Sequence, residues 1–258
     1  MGARALAVLT VVGGILVLVG PVSAAMVYVS SQSVSSENDA ITRIKDILEA
    51  DFGHTVTIGP PPSAFTPANV DLTGYAAVFL NAGCGSSGAT VPLDGQQMLD
   101  AFVRNGGGLV TGEWLLWGAA VGYNPTLAPL FPALAVPGAQ STAQTYTRPA
   151  GIPDPVAHVG MPETFAFTAA SHSGAGVTLS PKAGATTFYD AVSGAGMIGW
   201  DVDDGRVMSF NVLIGLANLD NTDFRRLVGN ATNWVLPEPG TLALLALAGA
   251  GMLLRRKR

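Results

Sequence analysis

Short apolar runs alternate with amphipathic segments between residues 26 and 111, and this pattern constrains the fold more than any other feature of the chain. Each apolar run has the length of one strand, and a segment with helical spacing follows the first and the third of them. Such alternation is typical of right-handed crossovers in a mainly parallel sheet. We therefore predict an α/β fold with strands at 26–30, 55–58, 75–80 and 107–111.

Two amphipathic segments are predicted to form the helices that join these strands. The first opens with a capping box at 36–39, and the second with reciprocal caps at Asp94 and Gln97. One face of each segment is apolar and is expected to pack on the sheet. The apolar residues are Ile41, Ile44, Ile47 and Leu48 in the first segment and Met98, Leu99, Phe102 and Val103 in the second.

The second half of the chain is less regular. Proline, glycine, alanine and threonine are frequent in 115–177, which we interpret as an irregular insertion with one helix and a strand at 165–167. The run Asp203-Asp204-Gly205 predicts a tight hairpin. A last helix is expected to begin with Asp220 as its cap. Residues 25–235 are thus predicted to form a single α/β domain.

The first 24 residues have the organisation of a secretory signal peptide. Arg4 supplies a positive charge, 6–19 is a charge-free apolar run, and Ala24 and Ala25 are small residues that signal peptidase accepts. Cleavage is expected after Ala24 or Ala25. The alternative is a retained membrane anchor, which the short apolar run and the helix-breaking Pro21 disfavour.

The C-terminal segment 236–258 has three ordered parts. Pro237, Glu238, Pro239 and a glycine come first, an apolar run at 242–254 follows, and four cations end the chain. The cations would hold the far end of a hydrophobic transmembrane helix in the cytoplasm, so the body would lie outside. The run is short for a permanent span, which needs about 20 residues. The alternative is an ordinary C-terminal anchor.

The chain between the terminal segments is strongly acidic. Residues 25–239 contain all 18 acidic residues but only 8 of the 13 basic ones, which is a net charge of −10. An acidic surface repels phosphate backbones, so no nucleic-acid partner is expected. The single cysteine, Cys84, cannot form an internal disulfide, and the body must rely on its apolar core.

The order of Pro237-Glu238-Pro239, apolar helix and terminal basic cluster resembles the PEP-CTERM sorting signal. The resemblance covers about the last 22 residues. It implies a Gram-negative bacterium that makes exopolysaccharide, and processing by an exosortase near Pro237 to Gly240. It also implies transient attachment to the inner membrane with a periplasmic body, and then transfer to the outer envelope or the extracellular matrix. Signal peptidase, the exosortase, the membrane and exopolysaccharide are the partners implied.

A second resemblance concerns the body. The segments 80–81, 102–110, 205–207 and 223–231 are similar in order and type to those of the class I glutamine-amidotransferase-like superfold, and especially of its ThuA-like branch. The resemblance implies a three-layer sheet of flavodoxin-like or amidotransferase-like form. It also implies a nucleophilic cysteine in a tight turn from strand to helix. Glu113 stands at that position, which argues against amidotransferase chemistry.

Cys84, Glu113, Trp114 and Asp201 are the candidate pocket residues. Glu113 and Asp201 would form a two-carboxylate site for glycoside chemistry if both faced the strand ends. Cys84 lies in a loop rich in glycine and serine, which would expose a thiol, bind an anion through its backbone, or serve only as a flexible loop. None of the three histidines has an obvious pairing motif with Cys84.

Aromatic residues offer a further interpretation of the same region. Trp114, Trp117, Tyr123 and Tyr146 would line a carbohydrate-facing cleft, or else pack in the core. We predict no metal and no cofactor. The aspartates of the predicted hairpin resemble calcium ligands, but Val212 takes the position where a bidentate glutamate is required.

Two functions remain open on this sequence. The first is a non-catalytic binding or structural module at the cell surface or in the matrix. The second is a hydrolase that acts on carbohydrate or amide bonds of the envelope or of exopolysaccharide. The first is favoured because no recognisable catalytic triad accompanies the altered turn at Glu113.

Overall fold

The structure is a computed structural model that describes residues 24–32, 38–82, 90–136, 143–152, 156–169, 177–192 and 194–237. Four sequence features lie outside these residues. They are the signal peptide before residue 24, Ser36 of the predicted capping box, the loop that contains Cys84, and the apolar run at 242–254.

Eleven strands occur in the described part of the chain. They are β1 (Met26–Ser30), β2 (Thr55–Gly59), β3 (Ala77–Leu80), β4 (Gly108–Thr111), β5 (Ala133–Val136), β6 (Ala143–Thr147), β7 (Thr164–Thr168), β8 (Thr178–Pro181), β9 (Thr186–Asp190), β10 (Ala195–Val202) and β11 (Gly205–Phe210). Nine of them form one sheet in the order β2-β1-β3-β4-β11-β10-β9-β6-β7, while β5 pairs with β8.

The large sheet is parallel in one half and antiparallel in the other. Strands β2, β1, β3, β4 and β11 are parallel to one another. Strands β10, β9, β6 and β7 continue the sheet through antiparallel pairs. The prediction of a mainly parallel sheet is therefore correct for the first half only. The predicted hairpin is confirmed, since Val202 pairs with Gly205 across a two-residue turn.

Helices cover both faces of the sheet. They are α1 (Asn38–Asp46), α2 (Leu93–Arg104), α3 (Glu113–Ala120), α4 (Leu216–Leu219) and α5 (Thr222–Val235). Helices α1 and α5 contribute to the apolar core on one face, and α2 and α3 to the core on the other. This is the three-layer α/β arrangement that the second resemblance implies. The predicted stripe of α1 is confirmed, because Ile41 and Ile44 are buried and Ile47 and Leu48 continue it.

Two helix starts differ from the predictions. Helix α2 begins directly after Pro92, and Asp94 accepts a hydrogen bond from the N–H of Gly95 instead of capping the helix. Helix α5 is capped by Asn221, whose side chain accepts from the N–H of Phe224 at 2.9 Å, and not by Asp220. Asparagine and aspartate are comparable N-caps, so neighbouring candidates of this kind are hard to separate by sequence.

The stretch 115–177 is more ordered than predicted. It provides β5, β6 and β7, and the last two form the far edge of the large sheet. Strand β7 contains the strand predicted at 165–167. Strand β6 was not predicted, because its buried positions are Gln144 and Tyr146 and its outward positions are alanine and threonine. Such a sequence has little apolar contrast between the two faces.

Both ends of the described chain lie at the amino edge, which is the edge where the parallel strands begin. Ala25 precedes β1, and its N–H donates to Nδ1 of His54 at 3.4 Å, just before β2. At the other end, Val235 closes α5 against Gly108 at the start of β4. A Cβ atom on Gly108 would lie 2.5 Å from the carbonyl oxygen of Val235.

Candidate functional site

The opposite, carboxyl edge of the sheet is where β1, β3, β4 and β11 end. Strands β2 and β3 lie on opposite sides of β1, so the sheet has a topological switch point between β1 and β3. Open α/β sheets bind ligands at such points, because the loops diverge there and leave a crevice. The polar residues that follow these strands are Gln32, Asn81, Glu113 and Asn211, and all four are buried.

Glu113 lies in the sharp turn between β4 and α3. Gly112 is extended at this turn, and a Cβ atom on it would lie 2.9 Å from Oδ1 of Asn81. The N–H of Glu113 donates to the carbonyl of Val212 at 3.2 Å, which joins the turn to the end of β11. The first residue of α3 is therefore a glutamate that is 3% exposed.

Asn81 fixes three loops to one another. Its Nδ2 donates to the carbonyl of Ile214 at 2.7 Å, and its Oδ1 accepts from the N–H of Ile214 at 3.4 Å. From the other side, Nε2 of Gln32 donates to the carbonyl of Asn81. The ends of β1 and β3 and the loop after β11 are thus held together by one side chain and one peptide group.

Tyr146 reaches the same edge from the antiparallel half of the sheet. Its hydroxyl lies 2.6 Å from Oδ1 of Asn211 and 2.9 Å from the carbonyl oxygen of Gly196. Burial raises the pKa of Tyr146, and the negative charge of Glu113 raises that pKa further. The phenol is therefore a hydrogen-bond donor at neutral pH and is unsuited to act as a base.

Three buried polar atoms near the switch point have no hydrogen-bond partner in the described part of the chain. They are Oγ of Ser30, Oε1 of Gln32 and Nε1 of Trp114. By contrast, the hydroxyls of Thr111 and Ser209 lie 2.9 Å apart and satisfy each other. More than about 90% of buried polar groups in proteins are paired, so unpaired ones gathered in one region call for an explanation.

Asp201 lies at the amino edge, away from Glu113. It pairs with Arg206 at the start of β11 and accepts a hydrogen bond from its Nε at 3.0 Å. The carbonyl of Val212 accepts a hydrogen bond from the N–H of Glu113. Val212 lies six residues beyond Arg206, which corresponds to about 20 Å along a strand. Glycosidase carboxylates lie within about 10 Å of each other. The hypothesis of a two-carboxylate site is therefore wrong, because β10 runs antiparallel and carries Asp201 to the other edge.

The remaining candidates for nucleophilic chemistry are dispersed. Cys84 lies outside the described residues. His54 is at the amino edge, with Nε2 2.9 Å from Oδ1 of Asn233, while Nε2 of His158 is 3.1 Å from the carbonyl oxygen of Phe188. Within the ranges that the structure describes, no group of three or more histidine, cysteine, aspartate or glutamate residues is arranged to hold a metal.

The aromatic residues considered for a cleft separate into two groups. Trp114, Trp117 and Tyr123 form a series of edge-to-face contacts, with ring centroids 5.2 and 5.6 Å apart. Trp114 and Trp117 pack on the face covered by α2 and α3, whereas Tyr146 belongs to the core on the other face. Of the two interpretations, packing in the core is therefore what the structure shows for Tyr146, Trp114 and Trp117. Only the first group adjoins Glu113 directly along the chain.

Sequence reasoning identified Glu113 and Trp114 at this edge but missed Ser30, Gln32, Asn81 and Asn211. A usable signal was present, because each of these polar residues ends an apolar strand or lies within two residues of its end. A polar residue at the carboxyl end of a buried parallel strand points to the ligand-binding edge of the sheet.

Comparison with known protein families identifies one motif in the sequence. Residues 235–258 match the PEP-CTERM protein-sorting motif, which indicates an exported protein that an exosortase sorts. No curated protein sequence matches the chain significantly. Among the residues that the structure describes, no helix is long and apolar enough to cross a membrane.

The body is similar in fold to several solved structures. A cytoplasmic protein of Salmonella typhimurium has a TM-score of 0.63 and 12% identity, and the match covers 83% of this chain and all of the other. A ThuA-like protein of Bacteroides uniformis has a TM-score of 0.58 and 12% identity, covering 81% and 90%. A β-galactosidase of Bacillus circulans has a TM-score of 0.55 and 13% identity, covering 83% and 32%. At these identities the similarity shows the fold alone.

Proposed function

We propose that the protein is a non-catalytic binding module that is exported, sorted by an exosortase and presented at the cell surface or in the extracellular matrix. The motif at 235–258 supports the route. The observation that carries the proposal for the body is the buried Glu113 at the position where the resembling fold has its nucleophile. A carboxylate there does not provide the thiolate attack for which that turn is built.

The positions of the histidines support the same interpretation. His54 lies at the amino edge, far from the turn, and His158 is bonded to the carbonyl of Phe188. A nucleophile needs a base within hydrogen-bond reach, and the Nε2 atoms of these two histidines lie within hydrogen-bond distance of Asn233 and Phe188. We propose exopolysaccharide as the material that the module binds, since the sorting motif at 235–258 resembles that of bacteria that make exopolysaccharide.

Hydrolysis remains the second candidate because Glu113 places a buried carboxylate at the carboxyl edge of the sheet. The two functions can be separated with mature protein from the host and the host's own exopolysaccharide. We expect the protein to be retained on the polysaccharide while the number of reducing ends stays constant. Reducing ends that accumulate with the natural protein, and not with the isosteric variant Glu113→Gln, would establish the hydrolase instead.

Processing is tested by the intact mass of the same mature protein. We expect a chain that begins at or near Ala25 and ends between Pro237 and Gly240. A mass that includes Arg255 to Arg258 would mean an ordinary membrane anchor, and the proposed sorting route would then be wrong.

A further inference from the structure

The last turn of α5 is fixed at the amino edge of the sheet, next to the hairpin between β10 and β11. Nη1 of Arg206 donates to the carbonyl of Trp234 at 3.2 Å, and its Cζ atom lies 5.3 Å from the centre of the indole ring. In the same turn, Oδ1 of Asn233 lies 2.9 Å from Nε2 of His54. The end of the helix is therefore held by contacts with two different parts of this edge.

The folded body continues into the sorting motif. The motif begins at residue 235, yet Val235 and Leu236 are only 1% and 7% exposed. Unwinding the last turn to lengthen the tail would expose both apolar side chains to water, which is unfavourable. Gly240 is four residues beyond Leu236, so the two lie at most about 14 Å apart. The whole segment from Pro237 to Gly240 therefore stays close to the amino edge.

An enzyme that cleaves this segment has little room beside the body. A cleft that encloses an extended peptide is built by a folded domain, and a domain of about 100 residues has a radius of gyration of about 13 Å. The walls of such a cleft extend about as far from the segment as the segment lies from Leu236. The enzyme and the amino edge must therefore come into contact while the last turn of α5 stays folded.

The amino edge is acidic. It is formed by the loops 51–54, 71–76, 105–107 and 201–204. The charged side chains of these loops are all aspartates, namely Asp51, Asp71, Asp201, Asp203 and Asp204. Arginines lie within 3.7 Å of Asp51, Asp201 and Asp203. Asp71 and Asp204 are exposed and form no ion pair within the described part of the chain. Such a surface attracts a cationic protein surface and repels anionic lipid head groups.

Asp204 lies near the place where the tail leaves the body. A Cβ atom on Gly106 would lie 3.8 Å from the carbonyl oxygen of Asp204, and one on Gly108 would lie 2.5 Å from that of Val235. Because the two glycines are two residues apart, the backbones of Asp204 and Val235 lie within about 16 Å of each other. The hairpin thus borders the exit of the tail.

We infer that the amino edge is a docking surface for the exosortase, and that the carboxylate of Asp204 faces a cationic surface of that enzyme. The inference rests on the proposed processing between Pro237 and Gly240, and it adds a contact with the folded body to recognition of the motif. The rate of processing then depends on the charge of the amino edge as well as on the sequence of the motif.

The test follows the conversion of the precursor to the processed protein by pulse–chase labelling in the host. Asp204→Lys replaces an attractive charge with a repulsive one, and we expect it to slow conversion about tenfold. Asp204→Asn removes the charge at nearly constant size and should slow conversion less. Asp94→Lys is the matched control, because it makes the same change at an exposed aspartate in the first turn of α2, and it should leave the rate unchanged.

A spacer separates docking from other effects of the substitution. About 20 glycine and serine residues inserted between Leu236 and Pro237 would place the cleaved segment about 25 Å from the body on average. The enzyme could then reach the segment without touching the amino edge. In this longer chain we expect Asp204→Lys to be converted as fast as the natural aspartate form.

The outcomes distinguish the docking surface from the processing on which it rests. A natural chain that is never converted would overturn both. A natural chain that is converted while Asp204→Lys is converted equally fast would overturn the docking surface alone, and faster conversion of Asp204→Lys would mean that the edge faces anionic lipid instead. Equal slowing in Asp94→Lys, or slowing that persists with the spacer, would also overturn the docking surface, because either result would show an effect on export or folding.

Discussion

Ser30 is a fully buried hydroxyl at the end of a central strand, and its Oγ has no partner among the described residues. An unsatisfied buried polar group costs about 1–3 kcal/mol. We therefore predict that Ser30→Ala raises the free energy of unfolding of the ligand-free protein by about 1 kcal/mol. Urea denaturation monitored by circular dichroism would measure it. A large loss of stability would mean that the hydroxyl is bonded in solution.

Ser209 provides the opposite case on the same face of the sheet. Its hydroxyl lies 2.9 Å from that of Thr111, and both residues are fully buried. Ser209→Ala leaves the Thr111 hydroxyl without this partner, so we expect the free energy of unfolding to fall by about 1–2 kcal/mol. The same denaturation experiment compares the two serine variants, and shifts of the same sign would contradict the distinction between paired and unpaired hydroxyls.

His54 predicts a dependence of stability on pH. Burial lowers the pKa of His54, although the hydrogen bond to Asn233 partly opposes this shift. The unfolded chain therefore binds a proton more readily, and its histidine pKa is about 6.5. Stability should fall as the pH is lowered through that value towards the folded pKa. The loss between pH 7.5 and 5.5 should be smaller in His54→Asn, and an equal loss would exclude His54 as its origin.

Some residue contacts could be predicted from the sequence, but the contact of His54 with Asn233 could not. The apolar stripe of α1 followed from helical spacing alone, because its residues contact the sheet through a local repeat. The bond from Gln32 to Asn81 joins residues 49 apart, and that from His54 to Asn233 joins residues 179 apart. No local pattern encodes such pairs, so the polar part of the candidate site became visible only when the strand order was known.

At the scale of elements, the hairpin between β10 and β11 is fitted closely against α2. A Cβ atom on Gly205 would lie 2.0 Å from the carbonyl oxygen of Val103 and 2.5 Å from that of Gly107. Both are backbone atoms and cannot turn aside. We predict that Gly205→Ala costs about 3 kcal/mol of unfolding free energy, at the upper end for an overpacked site. Asp204→Ala, at the adjacent exposed position, is the control and should change the free energy of unfolding little. Similar thermal midpoints for the two variants would contradict the close packing of Gly205 against the backbone of Val103 and Gly107.

Three of the strands that the sequence did not predict share a physical cause. Strands β6, β8 and β9 are short, and threonine, serine or proline occupies many of their positions. They belong to the antiparallel half or to the small sheet, where one side of a strand can be polar. The parallel strands β1, β3 and β4 are apolar on both faces and were recognised, although β3 begins two residues later than predicted.

At the scale of the whole molecule, the position of the chain ends orients the body. Val235 and Leu236 belong to the buried core at the amino edge, yet the sorting motif begins at residue 235. Five residues lie between Leu236 and the apolar run that begins at Leu242, and this connection reaches at most about 20 Å. If the apolar run spans the membrane before processing, as we propose, the amino edge then faces the membrane closely, and the carboxyl edge with its candidate site points outwards.

This orientation can be measured with two single cysteines in a Cys84→Ser background. Leu93→Cys lies at the start of α2, on the carboxyl side, and Asp204→Cys lies in the hairpin at the amino edge; both positions are exposed. In membranes from a strain without the exosortase, a bulky polyethylene-glycol maleimide should label Leu93→Cys much faster than Asp204→Cys. In chains that end at Pro237, which we expect to be soluble, the two rates should converge. A ratio of rates that is the same in both forms would mean that the amino edge is not held at the membrane.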